Sequence, residues 1–401
     1  MRVASTFLPE QIDIAIVGAG PHALTLATHL LQKRQGMRGR FLAFDPSGSW
    51  MSQWRHQFAA LEIPHLRSPA VHHVDPNPYE LRRFAENRPN ELFPPYDLPG
   101  TELFEDFCSD AVRRWDLQDR VVKAKVTAIE PPLDRLHRSF RLSLESGELI
   151  KARRVVLAKG SSTLNLPEWV SKIAGDYPSD RLCHSQQIDL RTSYLKGERI
   201  LIIGSGLTAG HLAVGAISRS AEVTLIARRQ LQEKLFDADP GWLGPKYLKG
   251  FWAETDWETK AEAIQTARNG GSMTPAMMTL LRRQARASKL KIYEQCQVVA
   301  ARWLGNKWQI QCDNGQTYEF DRIWLATGTK LNAKTEPLLT RILDVYPIPI
   351  VQGLPVLDKY LRWPGCNLFV MGGLAALQLG PVARNLSGAR MASDRIVPGM
   401  V

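Results

Sequence analysis

The fold is decided by residues 12–30, IDIAIVGAGPHALTLATHL. The first six residues form a short apolar run, and an amphipathic segment follows a glycine-rich turn. This order predicts a strand, a tight turn and a helix. Within the turn, Gly18, Gly20 and Ala23 have the spacing G-x-G-x-x-A.

A turn of this kind is suited to the pyrophosphate of a dinucleotide. A side chain at Gly18 or Gly20 would keep the phosphates away from the backbone, and the N–H groups at the start of the helix would bind the anion. The alternative is an ordinary strand-to-helix turn that binds no ligand, because one such pattern alone is a weak signal. The candidate contacts are Gly18, Gly20, Pro21, His22 and Ala23.

The next predicted strand, residues 39–45, ends in an acid. In dinucleotide-binding folds, an acid about 20 residues after the glycines accepts hydrogen bonds from a ribose hydroxyl, and Asp45 has this place. Residues 46–54 then read as a loop that contains Trp50 and Trp54. We expect these two rings either to stack on an aromatic cofactor or to fill the core.

A second copy of the pattern lies at residues 199–214, RILIIGSGLTAGHLAV. It again follows an apolar strand and opens a helix, so two units of the same kind are predicted. Its candidate contacts are Gly204, Ser205, Gly206, Thr208 and Ala209.

The partner strand of this second unit, residues 222–227, ends in Arg228 and Arg229 rather than in an acid. A guanidinium at this position suits the 2′-phosphate of NADPH, which an acid would repel. The alternative is a pair of exposed arginines with no ligand.

The remaining pattern predicts further elements around these two units. A proline-rich stretch at 60–100 leaves little room for long elements. We expect a helix at 102–115 and strands at 121–130 and 139–157. Residues 236–290 are predicted to form an aromatic insertion that covers the site, with helical segments near 258–268 and 275–288. Strands at 296–312, 317–326 and 368–371 and a helix at 382–396 complete the prediction.

Composition excludes several classes of protein. Of the 401 residues, 44% are hydrophobic and 23% charged, as in an ordinary globular protein. No apolar run reaches the ~18 residues of a membrane span, and the N-terminus lacks the apolar region of a signal peptide, so we expect a cytoplasmic protein. The net charge of +11 is spread without a basic run, which favours phosphorylated cofactors over nucleic acid.

Neither the cysteines nor the histidines form a recognisable reactive or metal-binding motif. The five cysteines are far apart, so no C-x-x-C pair and no zinc spacing occurs. His65, His72 and His73 lack companion ligands at metal-binding spacing. We therefore expect no metal site and no thiol-based reductase.

The two turns and the ends of two further strands resemble motifs of the flavoproteins that have two dinucleotide-binding domains. These strand ends are Ala158-Lys159-Gly160 and residues 321–329, of the form D-x3-L-A-T-G. Within this group, the chain is most similar to the class B flavin monooxygenases, in the lysine and ornithine N-hydroxylase-like branch. Thr327 and Gly328 are similar to the ATG motif of that family, and His184 and Ser185 to its linker.

This resemblance implies an α/β fold with two Rossmann-like domains in three layers and a helical insertion in the second. Residues 1–190 and 322–401 would form a discontinuous FAD domain, and residues 191–321 the NADPH domain. FAD would lie on the first turn with Asp45 on its ribose, and the segment with Gly373, Gly380 and Asn385 would close over the isoalloxazine. NADPH would lie on the second turn.

The resemblance also implies an activity. NADPH would reduce the flavin, oxygen would react at C4a, and the flavin hydroperoxide would transfer one oxygen atom to a nucleophilic nitrogen or other soft atom of a small molecule. No side chain is identified as catalytic, and a homo-oligomer remains open. The alternatives are a flavin reductase or NADPH oxidase, and a flavin-binding regulatory protein that resembles the oxidative-stress-induced growth inhibitors.

Overall fold

One mixed sheet and one parallel sheet organise the chain, and a glycine-rich turn follows a parallel strand of each. The computed structural model describes residues 8–132, 139–160, 163–268 and 270–400. The first part of the chain forms β1 Gln11–Val17, α1 Pro21–Lys33, β2 Phe41–Asp45, α2 Ser52–Ala60, α3 Glu80–Phe84, β3 Leu92–Phe93, β4 Leu98–Pro99, α4 Thr101–Arg114, β5 Val121–Lys123, β6 Val126–Glu130, β7 Phe140–Leu144 and β8 Leu149–Leu157.

The remaining elements belong to the second sheet and to the return into the first. The middle of the chain forms β9 Thr163–Leu164, β10 Leu182–His184, β11 Arg199–Ile203, α5 Leu207–Ser218, β12 Glu222–Ala227, α6 Pro245–Ala253, α7 Trp257–Arg268, α8 Pro275–Arg286, β13 Leu290–Glu294, β14 Val298–Trp303, β15 Trp308–Cys312, β16 Thr317–Phe320 and β17 Arg322–Leu325. The last part forms β18 Thr329–Lys330, α9 Thr340–Val345, β19 Ile350–Val351, β20 Leu354–Pro355, β21 Leu368–Val370, α10 Ala376–Leu379 and α11 Leu386–Met400.

The first sheet has the strand order β5-β2-β1-β8-β7-β6. Strand β1 is parallel to both β2 and β8, which buries its apolar run on two sides. The long strand β8 pairs with β7 along its first half and with β21 along its second half. Strand β21 therefore returns to the sheet that contains β1 and β8.

The second sheet has the order β10-β17-β11-β12-β13, and all of its pairs are parallel. On one face, α5 and α8 contribute the buried side chains Leu212 and Leu281. On the other face, the antiparallel sheet β14-β15-β16 contributes Trp308 and Ile310. Helices, parallel sheet and antiparallel sheet make three layers, as predicted.

The sheets do not follow the predicted domain limits. Strands β10 and β17 pair within the second sheet, whereas the limits at 190 and 322 assign both to the first domain. Helix α8 packs on α5 and leads into β13, so it belongs to the second unit rather than to the insertion. We therefore propose limits near residues 163 and 328, with an insertion that ends near residue 273.

Three local predictions are corrected. Residues 52–54, predicted to belong to a loop, instead begin helix α2. This helix follows a turn in which Met51 has φ 64°, and its mixed polar and aromatic sequence does not reveal it. Helix α6 lies within the aromatic segment, where no helix is predicted before residue 258. The last helix begins at Leu386 rather than Val382, because residues 380–385 form turns.

Among the described residues, no helix is both long enough and apolar enough to cross a membrane.

Buried histidines make stability depend on pH. His73 is 2% exposed and packs edge-on against Phe107, and its burial lowers its pKa to about 4. A histidine whose pKa is lower in the folded state takes up its proton first in the unfolded chain, so the folded state loses stability as the pH falls below about 6.5.

From this linkage, we expect His73→Gln to flatten the pH dependence of unfolding. Between pH 7 and pH 5, the wild-type protein should lose about 2 kcal/mol more free energy of unfolding than the variant. Urea unfolding at both pH values measures the difference. The exposed His56, replaced in the same way, is the control, and equal slopes for wild type and His73→Gln would contradict the prediction.

Candidate dinucleotide-binding cleft

The turn between β1 and α1 has the shape that a pyrophosphate needs. Gly18 has φ 103°, and a Cβ there would lie 3.1 Å from the carbonyl oxygen of Ala158, so the backbone itself requires glycine. At Gly20, by contrast, a Cβ would meet no described atom within 4 Å. The open space beside Gly20 and the first N–H groups of α1 fit the phosphates of FAD.

Asp45 is held beside this turn. Its Oδ2 accepts a hydrogen bond from the backbone N–H of Ala19 at 3.1 Å, and its Oδ1 accepts from the N–H and the hydroxyl of Ser47. A carboxylate has about four acceptor positions, so one remains for a ribose hydroxyl. The geometry fits the role predicted for Asp45.

Of the two tryptophans that follow, Trp50 lies in the core and the half-buried Trp54 packs against it. Trp50 is 6% exposed, and its indole N–H donates to the carbonyl of Leu117 at 2.8 Å. Trp54 stacks on Phe58 with 4.0 Å between ring centroids and packs against Phe104. These contacts favour core packing over the alternative of cofactor stacking.

The second turn opens on a cleft of about 1220 Å³ between the two domains. Gly204 has φ 154°, and a Cβ there would lie 2.5 Å from the carbonyl oxygen of Ala326. Gly206 faces Gly271, which approaches from the end of the insertion. Ala209 is buried beneath the turn. The predicted residues that line the cleft are Ser185, Gly204, Ser205, Gly206, Thr208, Arg228, Arg229, Thr327 and Gly328.

The two arginines after β12 reach the same cleft in different ways. Arg228 is exposed, whereas Arg229 is half-buried. The Arg229 guanidinium lies against Gly270, where a Cβ would collide with it. Both side chains are therefore placed on the wall where the second turn would hold a nucleotide.

His184 connects two segments of the chain that pass between the domains, the end of β10 and the residues before β18. Its Nε2–H donates to the carbonyl of Gly328 at 3.0 Å, while its Nδ1 accepts from the N–H of Gln186 at 3.3 Å. Burial lowers the pKa of His184, so the ring is neutral. Beside it, Asn165 exchanges two hydrogen bonds with Thr327. The segment before β18 is thus held to the end of β10 by His184 and to the segment after β9 by Asn165.

We expect His184→Ala to retain FAD yet to release more hydrogen peroxide per NADPH. The lost hydrogen bond is worth about 1 kcal/mol net, so the domain orientation loosens and uncoupling rises by up to about fivefold. Peroxide yield during NADPH oxidation is the measurement, with His56→Ala as control. Unchanged coupling would favour the other interpretation, in which His184 and Ser185 form a merely structural loop pair.

The C-terminal segment lies under the aromatic part of the insertion. Gly380 has φ 86°, and a Cβ there would contact Leu248 and Trp242 at 3.4 and 3.7 Å. The indole N–H of Trp252 donates to the carbonyl of Gln378. Gly373 approaches Leu331 so closely that a Cβ would collide with it. The insertion therefore covers the segment predicted to close over the flavin.

Sequence reasoning missed a cluster of charges on the wall of the cleft. Asp237 of the insertion accepts from Arg67 at 2.7 Å and from Arg268 at 3.0 Å. Arg268 also donates to the carbonyl of Pro381 at 2.9 Å and lies 3.5 Å from the amide oxygen of Asn385. Arg384 lines the same cleft. These side chains are isolated in sequence, so no spacing rule reveals them.

The arginines fix the ionised state of Asp237. Burial by itself would raise the pKa of the carboxyl, but Arg268, Arg67 and Arg384 outweigh this effect and hold the pKa below its usual range. The cluster also connects to the first turn, because His22 Nε2–H donates to the carbonyl of Arg384 at 3.3 Å. Burial lowers the pKa of His22 to about 4, so this ring is neutral.

Comparisons with known proteins agree with this fold. Residues 15–162 match the family model described as FAD-NAD(P)-binding. The chain is 22% identical to L-lysine N6-monooxygenase of Escherichia coli, over 94% of this chain and 93% of that protein. The chain has the fold of the lysine and ornithine N-hydroxylase branch of the class B flavin monooxygenases.

Solved structures support the same fold over nearly the whole chain. The ornithine N-hydroxylase KtzI of Kutzneria sp. 744, with reduced FAD, NADP+ and L-ornithine, gives a TM-score of 0.78 at 18% identity. The match covers 97% of this chain and 99% of that one. The cadaverine monooxygenase DfoA of Erwinia amylovora, bound to FAD, gives a TM-score of 0.77 at 14% identity. This match covers 97% of this chain and 94% of that one. These matches confirm the fold that the sequence resemblance implies.

Proposed function

We propose that the protein is an FAD-dependent, NADPH-consuming monooxygenase that transfers one atom of molecular oxygen to a nitrogen of a small amine. The observation that carries the proposal is the pair of glycine turns, each after a parallel strand of its own sheet, with a cleft of about 1220 Å³ beside the second. The homologous enzymes named above act on lysine, ornithine and cadaverine, which supports an amine as the substrate.

Each part of the cleft has a task in this proposal. The backbone at Gly20 and the start of α1 hold the FAD pyrophosphate, and Asp45 accepts from the ribose. The turn at Gly204 holds the nicotinamide dinucleotide, with Arg228 on its 2′-phosphate. When bound, the flavin accepts the hydride of NADPH and activates oxygen, and the protein supplies orientation and exclusion of water.

The aromatic cover of the insertion suits the exclusion of water. Phe251 is 6% exposed and packs edge-on against Trp242, whose ring also lies next to Gly380. Lys260 is 6% exposed, and its ammonium lies 4.5 Å from the ring centre of Trp257, which gives this cover a buried cation–π contact. The exclusion of water strengthens polar interactions in the site and limits the release of activated oxygen as hydrogen peroxide.

The proposal is tested with the FAD-loaded protein, NADPH and air-saturated buffer. L-lysine, L-ornithine and cadaverine are supplied separately, and NADPH oxidation, hydrogen peroxide and hydroxylated amine are measured together. At least one amine should accelerate NADPH oxidation and yield hydroxylamine with less peroxide. Peroxide equal to NADPH with every amine would instead indicate an oxidase, and bound FAD without NADPH oxidation would indicate a regulatory flavoprotein.

A further inference from the structure

An open groove of about 630 Å³ lies at the end of the first sheet that is opposite the glycine turn. Gln11 at the start of β1 pairs with Lys151 of β8 there, whereas Gly18 follows the carboxyl end of β1. Ile12 in the groove and Gly18 are six positions apart, which corresponds to roughly 20 Å along a strand. The described residues that line the groove all differ from those that line the large cleft. The groove is therefore separate from both glycine turns.

Positive charge is concentrated in this groove. Arg40, Arg120 and Arg153 line it, and Asp13 is the one carboxylate among its described lining residues. Asp13 lies 2.8 Å from the guanidinium of Arg40 and 2.6 Å from that of Arg154, with one arginine on each carboxylate oxygen. The charges of Arg120 and Arg153 are therefore left without a carboxylate to balance them.

Arg120 and Arg153 also lack other partners in the part of the chain that the structure describes. Neither side chain makes a hydrogen bond or an ion pair with a described residue. Arg153 is exposed, whereas Arg120 is half-buried, and its Nε is shielded from water without an acceptor. An enclosed donor without an acceptor is rare in folded proteins because it costs stability. An anionic ligand beside this guanidinium would offset that cost.

The two unpaired arginines lie on opposite sides of the groove. Arg120 directly precedes β5 and Arg153 belongs to β8, and the strand order β5-β2-β1-β8 places two strands between them. Neighbouring strands are about 4.8 Å apart, so the backbones of the two arginines are separated by roughly 15 Å. A ligand that contacts both guanidinium groups must therefore extend across the groove.

The surface between the two arginines is apolar. Ile12 of β1 and Leu42 of β2 belong to the two intervening strands, and both side chains are half-buried in the groove, with Pro9 beside them. The volume of about 630 Å³ lies within the range of roughly 300 to 1,000 Å³ that is typical of small-molecule sites. The groove thus combines an apolar centre with a cation on each side.

We propose that this groove binds a small molecule that carries an anionic group at each end of an apolar body. One carboxylate or phosphate contacts Arg120, the other contacts Arg153, and the body lies on Ile12 and Leu42. Each guanidinium can donate two parallel hydrogen bonds to such a group. This second ligand site does not depend on the proposed function, because it lies at the end of the sheet away from the FAD turn.

Calorimetric titration of the FAD-loaded protein tests this site without turnover. The probes are octanedioate, octanoate and octane-1,8-diol, which share an apolar chain and carry two, one and no charged ends. Wild type should bind octanedioate about tenfold more tightly than octanoate, and octane-1,8-diol most weakly. Arg120→Gln and Arg153→Gln should each weaken octanedioate by about tenfold and leave octane-1,8-diol unaffected, while replacement by lysine should retain part of the preference.

A matched control and a second readout separate binding in the groove from other effects. Arg302→Gln removes an exposed arginine from β14, in the antiparallel sheet of the second domain, and should leave octanedioate binding unchanged. Octanedioate should raise the midpoint of thermal unfolding of wild type more than that of Arg120→Gln or Arg153→Gln. Without ligand, the midpoints should agree, because neither side chain has a described partner to lose.

Four results would overturn the proposal. Wild type might bind no octanedioate, or bind it no more tightly than octanoate. Both glutamine variants might bind octanedioate as well as wild type does. NADP+ might displace octanedioate, which would place the probe in the large cleft. An oligoglutamate peptide might bind more tightly than octanedioate, which would indicate a surface for an acidic protein instead of a small-molecule site.

Discussion

Replacing Gly20 with valine is expected to abolish FAD binding and to leave the fold intact. Gly20 has an extended backbone with φ −79° and ψ −170°, which valine readily adopts, and no described atom lies within 4 Å of a Cβ there. The side chain would instead occupy the space in which the pyrophosphate approaches the start of α1. Wild type should be yellow as isolated, and Gly20→Val colourless.

Gly39→Val is the matched control for this prediction. Gly39 lies in the same domain, is exposed, and likewise has no described atom within 4 Å of a Cβ. This variant should keep a full complement of FAD, measured as flavin absorbance per protein after reconstitution. Circular dichroism should show equal folding of both variants. Stoichiometric FAD in Gly20→Val would contradict the assignment of the first turn as the FAD-binding site.

Gly18 could not serve the same test. A side chain at Gly18 would have to adopt φ 103° and would press on the carbonyl of Ala158, so loss of FAD there could follow from strain in the protein. Glycine is therefore needed at the two positions of one motif for different physical reasons. The spacing in the sequence predicts both positions but does not distinguish backbone strain from space for a ligand.

The sequence predicts the two strand-turn-helix units because local pattern determines them. Residues 12–17 and 199–203 are apolar runs next to glycines, and the observed strands Gln11–Val17 and Arg199–Ile203 follow them closely. The same is true of Asp45 and of the arginines after β12, which stand at strand ends. Features that depend on neighbours in sequence can therefore be predicted from the sequence alone.

Features that depend on distant contacts are not recovered. Arg67 meets Asp237 across 170 positions of the chain, and Arg268 meets Pro381 across 113. The approach of Gly271 to Gly206 likewise joins the insertion to the second turn. No periodicity or spacing encodes such encounters, because they arise from the packing of the insertion on both domains.

The structure sharpens the expectation for the nicotinamide nucleotide. Strand β12 ends at Ala227, and its carboxyl end lies beside the turn at Gly204, as the parallel pairing of β11 and β12 requires. Arg228 and Arg229 both line the cleft there. Arg229 is steadied against Gly270, whereas the exposed Arg228 is free to turn towards a phosphate. We infer that the two guanidinium groups act together on the 2′-phosphate.

We therefore expect wild type to prefer NADPH over NADH by at least about tenfold, and the double replacement Arg228→Ala and Arg229→Ala to remove this preference. Hydrogen bonds to charged groups contribute about 1.5 to 3 kcal/mol each, so NADPH should weaken by about a hundredfold while NADH changes little. The maximal rate of flavin reduction should stay nearly constant, because the 2′-phosphate is remote from the hydride.

Stopped-flow reduction of the flavin by each nucleotide, at several salt concentrations, measures these constants. The single replacement Arg228→Ala should give an intermediate loss, and Arg283→Ala, which removes an exposed arginine from α8 of the same domain, is the control. Added salt should weaken NADPH in wild type more than in the double variant, since screening acts on the charged contact. Equal efficiency of wild type with both nucleotides, or equal losses for both in the variant, would show that these arginines do not recognise the phosphate.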